Sequence, residues 1–202
     1  MEAQIITISR EYGSGGRIIG ELVAEKLGYA FYDKELVDEI FKKSGFAKEF
    51  IAEGGEYAFS KNNFLFNLGN ARLSEYDFGY SISDRLYTIQ QNIIKDIANK
   101  KPCVIVGRNA DYVLKDKKNC LNVFIHCDIK TRIDRAINDY GEETKKIEKK
   151  LRDKDEKRKI YYKNYTDRIW GMSKNYNLCL DSGYYGIERC ANIIIENINR
   201  HF

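Results

Sequence analysis

The glycine-rich segment near the start of the chain carries the residue types best suited to chemistry. It reads Tyr12-Gly13-Ser14-Gly15-Gly16-Arg17-Ile18 and follows the apolar run 4–8. Glycines let a turn fold so that its N–H groups converge, and a helix that follows presents the positive end of its dipole there. We therefore predict an anion-binding loop, in which the backbone amides and the Arg17 guanidinium hold a polyphosphate.

The loop differs from the P-loop pattern at two positions. That pattern ends in Gly-Lys-Ser or Gly-Lys-Thr, where the lysine reaches the phosphates and the hydroxyl binds magnesium. The corresponding residues here are Gly16, Arg17 and Ile18. Arginine is a planar, bidentate cation that does not replace lysine atom for atom, and isoleucine offers no oxygen to a metal. A simple turn between a strand and a helix is the alternative interpretation.

A second candidate anion site follows another apolar run. Arg108 and Asn109 come just after residues 103–106, which read Cys-Val-Ile-Val. A guanidinium matches a phosphate group with two parallel hydrogen bonds. We therefore predict that Arg108, with Asn109 beside it, binds an anionic group. An arginine that merely caps the surface is the alternative.

Further arginines recur at a spacing of three, which places them near one face of a helix. They are Arg132 and Arg135, and then Arg152 and Arg158 on either side of Asp155. Arginines carried by a closing segment stabilise the charge that develops on a transferring phosphoryl group. For the charged run around Arg152, a solvated helix face is the alternative.

The elements that must position these residues alternate between apolar runs and helical periods. Such alternation is typical of α/β proteins, in which a parallel sheet is covered by helices on both faces. Ligands of such sheets bind beyond the carboxyl ends of the strands. We predict five strands, at residues 4–8, 30–32, 103–106, 121–126 and 177–180. The glycine-rich loop, Asp33 and Arg108 should then lie at one edge.

Two segments interrupt the alternation. Residues 42–81 are rich in Gly, Asn and aromatic residues and show weak periodicity, whereas 82–98 returns to helical spacing. Residues 139–168 are dominated by charged side chains. Either segment is suited to cover the ends of the strands. We interpret the chain as a single domain over 1–202 that carries both.

Composition limits the classes of function. The net charge of +4 is mild and gives no reason to expect nucleic-acid binding. The five cysteines form no C-x-x-C pair, and Cys103, Cys127 and Cys179 lie in apolar runs, where we expect small buried side chains. The sequence shows no leader peptide and no apolar run long enough to span a membrane. We therefore expect a cytoplasmic protein that binds neither nucleic acid nor membranes.

Taken together, the residues resemble the cytidylate kinase-like family, a branch of the nucleoside monophosphate kinases with the P-loop kinase fold. The stretches that carry the similarity cover nearly the whole chain: 6–17, 27–34, 104–110, 155–158, 161–162, 165–171 and 180–188. The resemblance implies a five-stranded parallel sheet with two additions. They are an NMP-binding helical insertion, here at 42–98, and a lid, here at 139–168.

The resemblance also implies an activity, which is transfer of the γ-phosphate of ATP to CMP, dCMP or a related small molecule. Residues 13–17 would hold the donor phosphates and Arg108 the acceptor phosphate, while Asp155 and Arg158 would be lid residues. Asp33 matches an aspartate that follows the second strand in these enzymes. Magnesium is expected from the chemistry, with substrate oxygens and water supplying most of its ligands. We expect Arg17, Arg108, Arg132, Arg135 and Arg158 to stabilise the transferring group.

Three features depart from the family pattern on the acceptor side. Asn109 replaces an aspartate, residues 34–37 do not match the segment that reads the acceptor, and Arg152 is one residue out of register with the lid arginines. We still take Asp33, Arg108, Asn109, Arg152 and Asp155 as candidate acceptor-binding residues. Two alternatives stay open. The pair Arg17–Ile18 favours a nucleotide-binding sensor or pseudokinase with little turnover, and the segment after Asp33 favours a kinase for a non-nucleotide acceptor.

Overall fold

A five-stranded parallel sheet forms the centre of the computed structural model, which describes residues 4–33, 35–44 and 82–201. The strands lie side by side in the order β2-β3-β1-β4-β5. Their bounds are β1 Ile5–Arg10, β2 Ala30–Tyr32, β3 Cys103–Val106, β4 Cys120–His126 and β5 Leu178–Asp181. Because β1 is central, the loop that follows it leaves from the middle of the carboxyl edge.

Helices connect the strands and cover the sheet. Their bounds are α1 Gly16–Leu27, α2 Glu35–Ser44, α3 Ile82–Lys100, α4 Ala110–Val113, α5 Ile129–Asn138, α6 Ile147–Thr166 and α7 Ser182–His201. Helix α7 is interrupted at Gly186, whose φ of 75° and ψ of 167° are not helical. A short 3₁₀ turn, Ser173–Asn175, precedes β5.

Successive side chains of β1 point to opposite faces of the sheet and join two apolar layers. Ile6 and Ile8 pack with the buried faces of α1 and α7. Ile5 packs on the other face of the sheet, among residues of α2, α3 and α4. Both layers consist of fully buried aliphatic side chains, so the hydrophobic effect fixes the sheet between two sets of helices. This rigid platform holds the loops at its carboxyl edge.

The charged segment 139–168 contains a long helix. Helix α6 is 20 residues long and buries Leu151, Tyr161 and Tyr162 among its charges. Its first turns pack with α5 through a small cluster around Ala136, Ile147 and Leu151. The predicted 139–168 lid therefore contains α6, packed on the body of the protein.

The sequence predictions of the sheet, its five parallel strands and the helix that begins at residue 82 are confirmed. The largest part of the predicted insertion, residues 45–81, lies outside the described residues. Cys103 and Cys127 are buried as expected, but Cys179 is exposed, because its strand β5 is an edge strand and leaves one side open. None of the described helices has the length and apolar character needed to cross a membrane.

The approach of α1 to the sheet yields a first prediction. A Cβ on Gly20 would lie 3.0 Å from Cδ1 of Ile8 and 3.2 Å from Cγ2 of Val106. Gly20→Val should therefore overpack this contact and lower the free energy of unfolding by about 1–3 kcal/mol. Urea denaturation would measure the loss. Glu25→Val adds the same side chain on the exposed side of α1 and is the matched control; an equal loss in both variants would contradict the packing argument.

Candidate active site

The loop between β1 and α1 has the backbone conformation that an anion-binding turn requires. Gly13 and Gly15 have φ values of 82° and 78°, in the left-handed region that favours glycine. At Gly16 a Cβ would lie only 2.5 Å from Cβ of Arg10, so a side chain does not fit there. The loop folds back on itself, since the amide and the hydroxyl of Ser14 both donate to the carbonyl of Glu11.

Helix α1 begins directly at the end of this turn, with Gly15 as its N-cap. The first amides of a helix have no partner within the helix and point out of its N-terminus. They lie at the carboxyl end of β1, as the sequence predicted. The loop can therefore present several N–H groups and a helix dipole to one anion, which fits a phosphate group.

Polar side chains from α5 and the segment after it lie over the loop. A terminal nitrogen of Arg135 donates to the carbonyl of Gly13 at 2.9 Å. Burial raises the pKa of the Tyr140 hydroxyl, and the amide of Gly15 facing that oxygen opposes the rise. Arg135 and Tyr140 thus contact the predicted phosphate loop from the side of the lid.

Arg17 forms ion pairs with neighbouring carboxylates. Its Nε lies 2.7 Å from a carboxylate oxygen of Asp33, and a terminal nitrogen lies 3.6 Å from Glu21, one turn further along α1. The guanidinium also lies 6.0 Å from the ring centre of Phe31 on β2. The sequence prediction had this side chain over the phosphates, but the structure shows an ion pair that joins α1 to the end of β2.

The lid helix is tied to the loop by a buried group of charges. The Asp155 carboxylate accepts a hydrogen bond from the amide of Tyr12 at 2.8 Å and pairs with Arg132, and it lies 3.5 Å from Arg158. Arg132 also donates to the carbonyl of Tyr12 at 2.8 Å and lies 3.3 Å from Glu11. Each buried charge thus has an opposite charge beside it, which offsets the cost of removing it from water.

A second tie holds the side chain of Tyr12. Its hydroxyl donates to Glu142 at 2.6 Å, and Lys154 lies 3.6 Å from the centre of its ring. Hydrogen bonds from Lys150 and Tyr12 lower the pKa of the Glu142 carboxyl to about 2. Glu142 is therefore ionised over the physiological range, and it fixes the loop to the start of the lid segment.

A polar cleft opens beside the loop at the ends of β1 and β3. Its lining residues are Ser9, Arg10, Gly107, Arg108, Asn109, Arg158 and Trp170. Arg10, Arg108 and Arg158 thus come from three different elements and meet at one place. Arginines can hold an anionic group through paired hydrogen bonds; here Arg10 also lies 3.9 Å from Asp33, and Arg158 lies 3.5 Å from Asp155.

The turn that carries Arg108 is strained. Gly107, Arg108 and Asn109 have φ values of 71°, 61° and 54°, all in the left-handed region. For a residue other than glycine this conformation costs roughly 1–2 kcal/mol. Such backbone strain is concentrated at functional sites. Gln90 supports the turn, because its amide nitrogen donates to the carbonyl of Arg108 at 3.2 Å.

The structure brings most of the predicted site residues together and leaves one apart. The loop residues 12–18, Asp33, Arg108, Asn109, Arg132, Arg135, Asp155 and Arg158 all lie along the carboxyl edge. Arg152 does not: it is exposed and pairs with Glu148 one turn back on α6. Arg152 is one residue out of register with the lid arginines of the family, and this offset places its side chain on the solvated face of α6.

Sequence reasoning missed Arg10, Gln90, Tyr140, Glu142 and Trp170. Arg10 had a usable signal, because it ends β1 immediately before the loop. Trp170 lies in the stretch 165–171, which carries the family resemblance. Gln90, Tyr140 and Glu142 lie where no motif marks them, and their contacts with the Arg108 turn or the loop span large distances in sequence. Among the described residues, no group of three or more His, Cys, Asp or Glu side chains could hold a metal ion.

Comparison with known proteins agrees with this geometry. A family model described as the cytidylate kinase-like family matches residues 5–184. No curated protein matches the chain. A crystal structure of an uncharacterized protein from Eubacterium ventriosum is 27% identical, with 97% of this chain and 98% of that chain covered and a TM-score of 0.73.

More distant solved structures share the fold. A shikimate kinase from Acinetobacter baumannii, solved with shikimate, is 16% identical over 98% of this chain and 94% of that chain, with a TM-score of 0.54. A gluconokinase from Sinorhizobium meliloti is 15% identical over 98% and 93%, with a TM-score of 0.52. The sheet of this chain is thus that of the P-loop kinase fold.

The buried charges give a prediction for stability. Asp155→Ala leaves Arg132 and Arg158 without their shared carboxylate, and we expect a loss of about 3–5 kcal/mol in the free energy of unfolding. Glu148→Ala removes the ion pair with Arg152. Because the side chains of Glu148 and Arg152 are 53% and 64% exposed, this change should alter the free energy of unfolding by less than about 1 kcal/mol. Urea denaturation compares the two variants, and similar losses would contradict the role assigned to Asp155.

Glu142 gives a prediction for pH. Its pKa is lower in the folded protein than its ordinary value of 4.5, so its contribution to stability is complete above pH 4.5 and is lost as the pH falls toward about 2. Glu142→Gln should lower the free energy of unfolding near pH 7 and flatten its dependence on pH in this acidic window. Unfolding curves at a series of pH values test this, and parallel profiles for wild type and variant would refute it.

Proposed function

The chain belongs to the cytidylate kinase-like family, and from this premise we propose that it is an ATP-dependent phosphotransferase whose acceptor is CMP or dCMP. The observation that carries the proposal is the pair of anion sites at one sheet edge. The glycine-rich loop lies at the end of β1, and the strained Arg108 turn lies at the end of the neighbouring β3. Two phosphate-bearing molecules bound at adjacent strand ends would meet end to end.

On the donor side, the proposed ligands of the ATP phosphates are backbone amides of the loop 13–18. Those of Gly16, Arg17 and Ile18 at the start of α1 come first, since the Ser14 amide donates to Glu11 and the Gly15 amide faces Tyr140. Arg135 already lies against the loop, 2.9 Å from the carbonyl of Gly13, and would add a positive charge there. Arg17 would first have to leave Asp33 to contribute to the same site. ATP would supply the phosphoryl group, and the loop would hold its position and neutralise its charge.

On the acceptor side, Arg108 and Arg158 are the proposed ligands of the monophosphate, with Arg10 beside them. All three arginines line one cleft, so two of them would hold the phosphate while the third would face the transferring group. No covalent intermediate is required. Alignment of an acceptor oxygen with the γ-phosphorus and stabilisation of the charge on the oxygens account for catalysis in this chemistry.

Magnesium would have few protein ligands in this site. Position 18 is isoleucine, and the described residues provide no cluster of acidic side chains for a metal. Phosphate oxygens and water would therefore make up most of its coordination shell, as is usual for this ion. When bound, the ion would neutralise charge between the phosphates.

Two other functions have specific observations in their favour. A nucleotide sensor with little turnover is favoured by Arg17, which is engaged with Asp33, and by Tyr12, whose amide is occupied by Asp155. A kinase for a non-nucleotide acceptor is favoured by residues 34–37, which differ from the family segment that reads the acceptor. A single coupled assay of ADP formation across a panel of acceptors distinguishes both functions from the main proposal.

A coupled assay with ATP, Mg²⁺ and a panel of nucleoside monophosphates, nucleosides and sugar acids tests the proposal. Wild type should form ADP with CMP or dCMP. Arg108→Gln keeps most of the length but removes the charge, and it should raise KM for CMP by about 10- to 100-fold, because a hydrogen bond to a charged group is worth about 1.5–3 kcal/mol. KM for ATP should change little.

Arg152→Gln is the matched control, since it removes an exposed arginine from α6, and it should leave both KM values unchanged. ATP binding without ADP formation on any acceptor would support the sensor instead. Turnover confined to a non-nucleotide acceptor would support the third function. Either result would defeat CMP and dCMP as the acceptors.

A further inference from the structure

A buried carboxyl group beside the cleft has no part in the chemistry described above. Asp111 lies on α4 and is only 2% exposed. Its Oδ2 accepts a hydrogen bond from the Tyr162 hydroxyl at 2.7 Å, and its Oδ1 lies 3.5 Å from the hydroxyl of Ser9. Burial raises the pKa of this carboxyl. A buried carboxyl is costly, so its place in the fold calls for an explanation.

The position of Asp111 in the chain connects it to both walls of the cleft. It follows Arg108 by three residues, within the turn and the short helix that hold the strained backbone. Its partner Tyr162 follows Arg158 by four residues on α6, which is about one helical turn. The Asp111–Tyr162 hydrogen bond therefore links the element that carries Arg108 to the element that carries Arg158.

A second contact reinforces the same link. The amide nitrogen of Gln90 lies 3.2 Å from the carbonyl of Arg108 and 3.2 Å from the hydroxyl of Tyr161. Gln90 is fully buried. The Arg108 turn is thus held against α6 through two successive tyrosines, Tyr161 by way of Gln90 and Tyr162 by way of Asp111.

We propose that Asp111 is a positioning residue that sets the spacing between Arg108 and Arg158, and through it the affinity of the cleft for an acceptor phosphate. This inference rests on the proposed function. The Asp111–Tyr162 hydrogen bond has a narrow range of lengths and therefore fixes the distance between α4 and α6. Apolar contacts at this point would define that distance less sharply. A shift of about 1 Å in a positioning contact is enough to weaken a bidentate phosphate site.

Kinetics with ATP and CMP test the inference. Tyr162→Phe removes the hydrogen bond at nearly constant volume, and Asp111→Val removes the acceptor. Both should raise KM for CMP by about fivefold or more, the value of a net hydrogen bond of roughly 1 kcal/mol, with KM for ATP nearly unchanged. Asp111→Asn retains an oxygen that can accept from Tyr162 and should restore most of the CMP affinity.

Tyr29→Phe is the matched control for loss of a tyrosine hydroxyl. Tyr29 donates to Gln4 just before β2 and β1 begin, at the opposite edge of the sheet. It should leave both KM values unchanged. If Tyr162→Phe leaves KM for CMP unchanged, or raises both KM values together, Asp111 is structural and the inference fails.

Wild type separates failure of the inference from failure of the proposed function. If wild type does not phosphorylate CMP or dCMP, the proposed function is wrong and the inference falls with it, whatever other acceptor in the panel is used. If wild type uses CMP and Tyr162→Phe behaves like Tyr29→Phe, only the role of Asp111 is refuted. Should Asp111→Val fail to fold, the comparison of Tyr162→Phe with Tyr29→Phe decides by itself.

Discussion

The carboxylate of Asp155 is the contact on which the arrangement of the site depends. It accepts a hydrogen bond from the amide of Tyr12 and lies beside Arg132 and Arg158. These partners belong to the glycine-rich loop, α5 and α6, so one buried anion joins three elements. A buried anion without such partners would not be stable. The buried arginines likewise require the negative charge of Asp155, and Asp155 requires the hydrogen bond from the Tyr12 amide of the loop.

The packing of α6 differs from that expected of a mobile lid. A mobile cover should have a polar inner face and few buried residues, but α6 buries Leu151, Tyr161 and Tyr162 as well as its charged residues. Its C-terminal half contributes Arg158 to the polar cleft and contacts Gln90 and Asp111 beside it. Its first turns face the loop. One helix thus connects the two proposed phosphate sites, and a movement of α6 would affect both.

Charge is distributed differently at the two sites. At the loop, backbone amides and a helix dipole supply the positive potential, with Arg135 alongside. At the cleft, the potential comes from the guanidinium groups of Arg10, Arg108 and Arg158. Arg17 is paired with Asp33 and would have to leave it to reach the loop. In this pairing its guanidinium joins α1 to the residue that follows β2.

The sequence by itself determined the sheet, the order of strands and helices, and the two glycine-arginine turns, because these depend on local periodicity and on residues adjacent in the chain. It could not determine that Arg17 pairs with Asp33, that Asp155 reaches Tyr12, or that Trp170 lines the cleft while Gln90 supports the Arg108 turn. Those contacts connect residues far apart in sequence, and equivalent arginines compete for each carboxylate. The packing of α5 and α6 against the sheet edge brings Arg132 and Asp155 to Tyr12, and the packing of α1 beside the end of β2 brings Arg17 to Asp33.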